Sequence, residues 1–102
     1  MRVIYSVLKE INEKRFVPEG ADYGLKDIEF EGLIRFLENE KAIERVLRMH
    51  DQLFLKPARL TKIGLALLEE YKEYEKIYPE RGQLKDWVQV DKILYSNDAE
   101  DE

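Results

Sequence analysis

Apolar residues recur at helical spacing in four stretches of the chain and lose that spacing in one. In "VIYSVLKEINEK", residues 3–14, Ile4, Val7, Leu8 and Ile11 fall at i, i+3, i+4 and i+7, with Lys9, Glu10, Glu13 and Lys14 on the other side. That spacing predicts a first amphipathic helix. "RFVPEGADYGL" then mixes Pro18, Gly20 and Gly24 with Phe16, Val17, Tyr23 and Leu25, which predicts a loop with one short helical turn held to the core by its aromatics. The helical pattern returns in "DIEFEGLIRFLENEKAI", residues 27–43, through Phe30, Leu33, Ile34 and Leu37. Asp27 is the expected N-cap, and Glu29 and Glu31 suit the positive end of the helix dipole. Phe36 lies off the stripe, against the short turn or in solvent.

The period changes in "AIERVLRMHDQLFLKPARL". Ile43, Val46 and Leu47, then Leu53, Phe54 and Leu55, form two β-prone runs around "HDQ", which predicts a hairpin that lacks the Asn-Gly or Asp-Gly signature. Pro57 has no amide hydrogen, so its strand is at an edge or ending. "RLTKIGLALLEEY", residues 59–71, reads as the next helix: Thr61 is placed to cap it, Leu60 to pack on Leu65 as a hydrophobic staple, and Leu65, Leu68 and Tyr71 to continue a buried stripe. Glu69 with Lys72 and Glu73 with Lys76 are i,i+3 pairs of a solvated face. Gly64, in the first turn, costs about 1 kcal/mol against alanine, so a neighbouring backbone or bulky side chain is expected to approach where a Cβ would clash. "YPERG" breaks the pattern, and Leu84, Trp87, Val88 and Leu94 form the stripe of a last helix. The expected class is α+β, with helices, a small antiparallel hairpin and extra C-terminal helices.

Length adds a bound: 102 residues suit one domain with one core, here residues 1–97, followed by an acidic, flexible tail, 98–102. No stretch has the roughly 18 apolar residues of a membrane span, the N-terminus is charged too early for a secretion signal, and there is no cysteine. A cytoplasmic protein is expected. The net charge is -5. Removing the four acids Asp98, Glu100, Asp101 and Glu102 leaves a body with 17 basic and 18 acidic residues, a charge of -1, without the basic excess of a protein that neutralises many phosphates.

Helix, short turn, helix, hairpin, helix is the winged-helix order. Leu60, Thr61 and Gly64 at the exit of the hairpin resemble the "LTxxG" found after the wing in MarR-like and PadR-like regulators. Over nearly the whole chain, "LKEI", the proline- and glycine-containing spacer, "EFEGLIRFLENEKAI", the hairpin, "LTKIG" and "LKDWV" are similar to the YjcQ family, small winged-helix proteins of Gram-positive bacteria and their phages and prophages. The resemblance implies a winged-helix fold and a bacterial or phage setting. It carries no catalytic residue and no ligand to this chain.

Candidate chemistry is sparse. Ser6, Thr61 and Ser96 have no base beside them, and His50, the sole histidine, falls in the predicted hairpin turn without a second histidine or a cysteine. Glu29 with Glu31 and Glu69 with Glu70 do not share a helix face. A non-enzymatic protein without cofactor or metal is expected, one that works by binding a macromolecule. Residues 27–40, the expected recognition helix, hold five acids and only Arg35, a sum of -4, which phosphates would repel. Across the hairpin and the start of the next helix, Arg45, Arg48, Lys56, Arg59 and Lys62 against Glu44 and Asp51 give +3. A protein partner is therefore favoured over DNA, with Trp87, Tyr78 and Tyr95 as aromatic anchors and a homodimer through the last helix as one form of contact. The alternative is a DNA-binding regulator, with Arg35 and Asn39 reading bases and Arg45, Arg48, Lys56 and Arg59 on phosphates.

Overall fold

The computed structural model describes residues 1–89; the last-helix positions Leu94 and Tyr95 and the acidic tail lie outside the described residues. Three α-helices, α1 (Arg2–Glu13), α2 (Asp27–Asn39) and α3 (Lys62–Glu70), surround two short antiparallel ladders. The short helical turn is Gly20–Tyr23, as the sequence predicts, and residues 84–89 are α-helical. The class is α+β, a small domain of helices and a hairpin. Its core is Val7, Leu8 and Ile11 of α1, Tyr23, Ile34 and Leu37, the hairpin residues Ile43, Leu55 and Ala58, and Leu84.

The hairpin divides into β1 (Ile43–Glu44) paired with β4 (Arg59–Leu60), and β2 (Leu47–Met49) paired with β3 (Gln52–Phe54). Between them Arg45 takes φ 66°, and on the return strand a turn closes with the Ala58 amide donating to the Leu55 carbonyl at 3.0 Å. That turn holds Pro57, which has no amide to offer a ladder, and it drops Leu55 and Ala58 into the core. The tip is a two-residue loop, His50–Asp51, with both residues at positive φ, 52° and 63°. This is the type I′ pattern whose twist matches a hairpin, made here without glycine.

α2 ends earlier than its apolar pattern predicts. Lys41 adopts φ 64°, its amide donates to the Glu38 carbonyl, and the Ala42 amide donates to the Leu37 carbonyl at 2.9 Å. This Schellman closure turns residues 42–44 into β1. At the other end the N-cap is Lys26, not Asp27, and the Glu29 carboxylate accepts from the Lys26 amide at 2.8 Å. Asp27 instead occupies the first helical position, where its charge still suits the dipole.

α3 is seated by its glycine. Thr61 caps it, with Oγ1 accepting from the Gly64 amide at 3.2 Å, and donates the same hydroxyl to the Lys41 carbonyl. The Thr61 amide donates to the Ala42 carbonyl at 3.0 Å. A Cβ on Gly64 would run into that Ala42 oxygen, a backbone atom with nowhere to yield. The close approach also corrects the stripe expected on α3. Leu65 is 48% exposed, about 100° around the helix from the glycine contact, whereas Leu68 packs on the core as expected and is joined there by Leu67.

Gly32, in the middle of α2, is the opposite case: among the described residues nothing lies within 4 Å of a Cβ built there. One substitution therefore has two signs. Gly64→Ala should lower the free energy of unfolding by about 2 kcal/mol or more through the clash, whereas Gly32→Ala should raise it by about 1 kcal/mol. Urea titrations of the two variants check both.

Candidate functional site

Two surfaces concentrate polar side chains, and they lie on different elements. The first joins α2 to the hairpin. Arg48 on β2 reaches back to α2, where Nε contacts Glu31 Oε1 at 3.0 Å and the two terminal nitrogens contact the Glu38 oxygens at 2.5 and 3.1 Å. The hydrogen bond to Glu38, followed by that to Glu31, holds the guanidinium pKa above its already high ordinary value. Arg35 shares Glu31 at 2.8 Å, and Arg59 pairs with Glu44 at 3.1 Å across the β1–β4 ladder. So the acids of α2 and the bases of the hairpin, which the sequence presents as separate patches, meet each other.

The remaining residues of the expected nucleic-acid set are scattered. Asn39 is exposed at the last position of α2, Arg45 sits in the break between β1 and β2, and Lys56 lies in the Leu55–Ala58 turn beside Lys14, whose ammonium donates to the Lys56 carbonyl at 3.2 Å. Lys62 is the exposed first residue of α3. Among the described residues no carboxylate pairs with Arg45, Lys56 or Lys62. Between the hairpin tip and the start of α2 runs an open groove of about 1120 Å³. Its apolar walls are Val17, Pro18, Ile28 and Phe54, and Arg35 and Arg48 line it from the side. Ile28 is 79% and Phe36 47% exposed on the α2 surface, and Leu47 and Met49 are exposed on β2. His50 stands at the exposed tip.

The second surface is mostly internal. Glu10, expected on a solvated face, is fully buried, and Lys9 nearly so. The 3-10 segment Lys72–Ile77 and Tyr78 bring partners to α1 that the local pattern of α1 does not disclose. Arg15 forks onto Glu10 at 2.5 and 3.2 Å, and the Tyr78 hydroxyl donates to Glu10 Oε2 at 2.6 Å. Ser6 Oγ lies 2.8 Å from the Tyr78 hydroxyl and 2.9 Å from that of Tyr23. Each hydroxyl has one proton, and Tyr78 commits its own to Glu10, so Ser6 donates to Tyr78 and accepts from Tyr23. Burial first, and then the hydrogen bond to Glu10, raises the Tyr78 pKa far above the ordinary phenol value. Tyr23, Ser6 and Tyr78 thus donate in one order toward Glu10, and each of the three hydroxyls is engaged in a hydrogen bond.

Beside it, Lys9 contacts Glu13 at 2.6 Å and Glu75 at 2.9 Å, and Tyr5 donates to Glu75 at 2.7 Å. Burial pulls the Lys9 pKa down, but its two carboxylates outweigh that and the net direction is up. Hydrogen bonds from Lys9 and then Tyr5 lower the pKa of Glu75. Trp87 packs edge-on against Tyr74 and Tyr78, with Arg2 over its face at 5.0 Å. Both described aromatic anchors, Trp87 and Tyr78, are thus half-buried in contacts with α1; Tyr95 is outside the described residues.

Two measurements separate structural ties from surface pairs. Arg15→Ala strips a buried carboxylate of its counter-ion and should cost about 3 kcal/mol, against less than about 0.5 kcal/mol for Arg35→Ala; chemical denaturation reads both. The depressed Glu75 pKa means that its contribution is complete above the ordinary carboxylate value of 4.5 and is lost as pH falls through the folded-state pKa. The stability gap between the parent and Glu75→Gln should therefore hold from pH 7 down to that value and close below it, in melting curves taken across the range.

Comparison with known proteins finds no family model, no curated protein and no solved structure that matches the chain.

Proposed function

We propose that the chain is a small winged-helix binding module without catalytic activity, and that it contacts a protein through the exposed face of α2 and the hairpin. The fold reading rests on element order: α1, the short turn, α2, the hairpin as wing, then α3 entered through "LTKIG". The similarity to the YjcQ family supports that reading and a bacterial or phage setting, in which the partner would belong to a host or phage complex. It brings no site residue with it.

The observation that favours a protein is the grip of Glu31 and Glu38 on Arg48. A wing arginine that contacts phosphate must leave those carboxylates, and Glu38 would then face the nucleic acid without a counter-charge while Glu31 kept only Arg35. Ile28 and Phe36 are exposed on α2 and Phe54 shares the groove with Ile28, apolar and aromatic side chains of the kind that fill protein interfaces. The DNA reading draws on Arg45, Lys56 and Lys62, which have no carboxylate partner among the described residues.

Fluorescence anisotropy with a mixed-sequence duplex at about 50 and 200 mM salt, the range over which phosphate-driven affinity changes steeply, tells the two apart. The expected result is no binding at either salt concentration. Tight binding that weakens steeply with salt, and is lost on charge reversal at Arg45 and Lys56, would replace the protein reading with the DNA one.

A further inference from the structure

The groove beside the hairpin looks onto the edge of a strand, not onto a sheet face. Gln52, Leu53, Phe54, Leu55 and Lys56 line it in unbroken succession, whereas a groove over a face meets every second residue. Of β2 only Arg48 reaches the lining, through the guanidinium that crosses to α2. The open side is therefore the edge of β3 turned away from β2. Register tells which backbone groups stand there. With a two-residue loop, Met49 and Gln52 form a hydrogen-bonded pair, as do Leu47 and Phe54, and the pair between them, Arg48 and Leu53, does not. The Leu53 amide and carbonyl thus point away from β2, and neither has a partner among the described residues. The facing wall does not supply one: Pro18 has no amide, and that of Glu19 donates to Asp22 at 2.9 Å.

Charge distinguishes the two ends of the edge. Where β3 runs into the Leu55–Ala58 turn stand Lys56 and Lys14, whose ammonium donates to the Lys56 and Ala58 carbonyls at 3.2 and 3.1 Å. Neither lysine has a carboxylate partner among the described residues, since Glu19 on the facing wall is turned to Arg81 at 3.8 Å.

We propose that this edge takes an extended segment of a partner protein as an added strand, apolar at alternate positions and acidic where it passes Lys14 and Lys56. The inference rests on the reading of this surface as a protein contact and names the form of the partner. Leu53 donates to and accepts from one residue of the incoming strand, and one row of that strand's side chains meets the apolar lining of Val17, Pro18 and Ile28. The lysines select for acid at one end. The pairing is short, because Pro57 has no amide and the Leu55 carbonyl is taken by Ala58, so the contact is a transient one.

Random displayed peptides of about ten residues, long enough to span a typical strand, supply the probe when selected on the intact chain. Enriched sequences should alternate apolar residues and carry Asp or Glu near one end. A synthetic copy of one should slow exchange of the Leu53 amide at least about tenfold and leave that of Arg48, on the other edge of the hairpin, unchanged. N-methylation of the peptide residue that faces Leu53 should weaken binding about tenfold, and methylation of its two neighbours, whose amides point away from β3, should not. Lys56→Glu should also weaken binding, and replacing the peptide's acid by lysine should recover part of the loss. No enrichment, an enriched peptide that leaves Leu53 exchange unchanged, or N-methylation tolerated at every position would overturn the proposal. If the duplex titration is blank as well, the protein-contact reading stands without this form of partner, whereas duplex binding that is lost on Lys56→Glu overturns both.

Discussion

One carbonyl oxygen, that of Ala42, sets where three elements meet. It accepts the Thr61 amide and lies where Gly64 would carry a side chain, so the end of α2, the β1–β4 ladder and the start of α3 share a single junction. Each neighbour depends on it. The Schellman closure at Lys41 aims Ala42 outward from α2, the ladder brings Leu60 opposite Ile43, and Thr61 then caps α3 from a position already fixed by the strand. Because α2 and the hairpin leave this junction in set directions, Arg48 arrives between Glu31 and Glu38.

The charge pattern has different meanings on the two sides of the molecule. On α1 the buried Glu10 is fully committed to Arg15 and Tyr78, and the chain of hydroxyls from Tyr23 through Ser6 fixes the orientation of the segment that follows α3. A buried carboxylate with these partners specifies how two segments dock, since removing any one leaves the others unsatisfied. On α2 the ion pairs are exposed and individually weak. Their effect is to offset part of the charge that α2 and the hairpin would otherwise present, on a face that also exposes apolar side chains.

Much of the fold was legible in the sequence because it follows from local chemistry. Helical spacing marks α1 and α2, Thr61 announces its own helix, Pro57 marks a break in its strand, and Gly64 points to a close backbone approach because glycine in a first turn otherwise makes no sense. What was not legible depends on distant partners or on residues acting against type. Lys9 and Glu10 look solvated until residues 72–78 cover them. The end of α2 and the tip of the hairpin use left-handed lysine, histidine and aspartate where glycine or asparagine would have signalled the turn. Of the candidate site, the opposite charges of α2 and hairpin could be counted, but their pairing needed the register Arg48↔Leu53, which turns Arg48 toward α2.

The central claim, that the Ala42 junction holds α2, the hairpin and α3 as one unit, is tested most directly by native-state hydrogen exchange at the Thr61 and Gly64 amides. If the junction is integral to the core, both amides exchange only through global unfolding, with a protection free energy equal to that from denaturant titration. Exchange of either amide through a local opening well below the global free energy would contradict the account, because α3 would then detach while the rest stays folded.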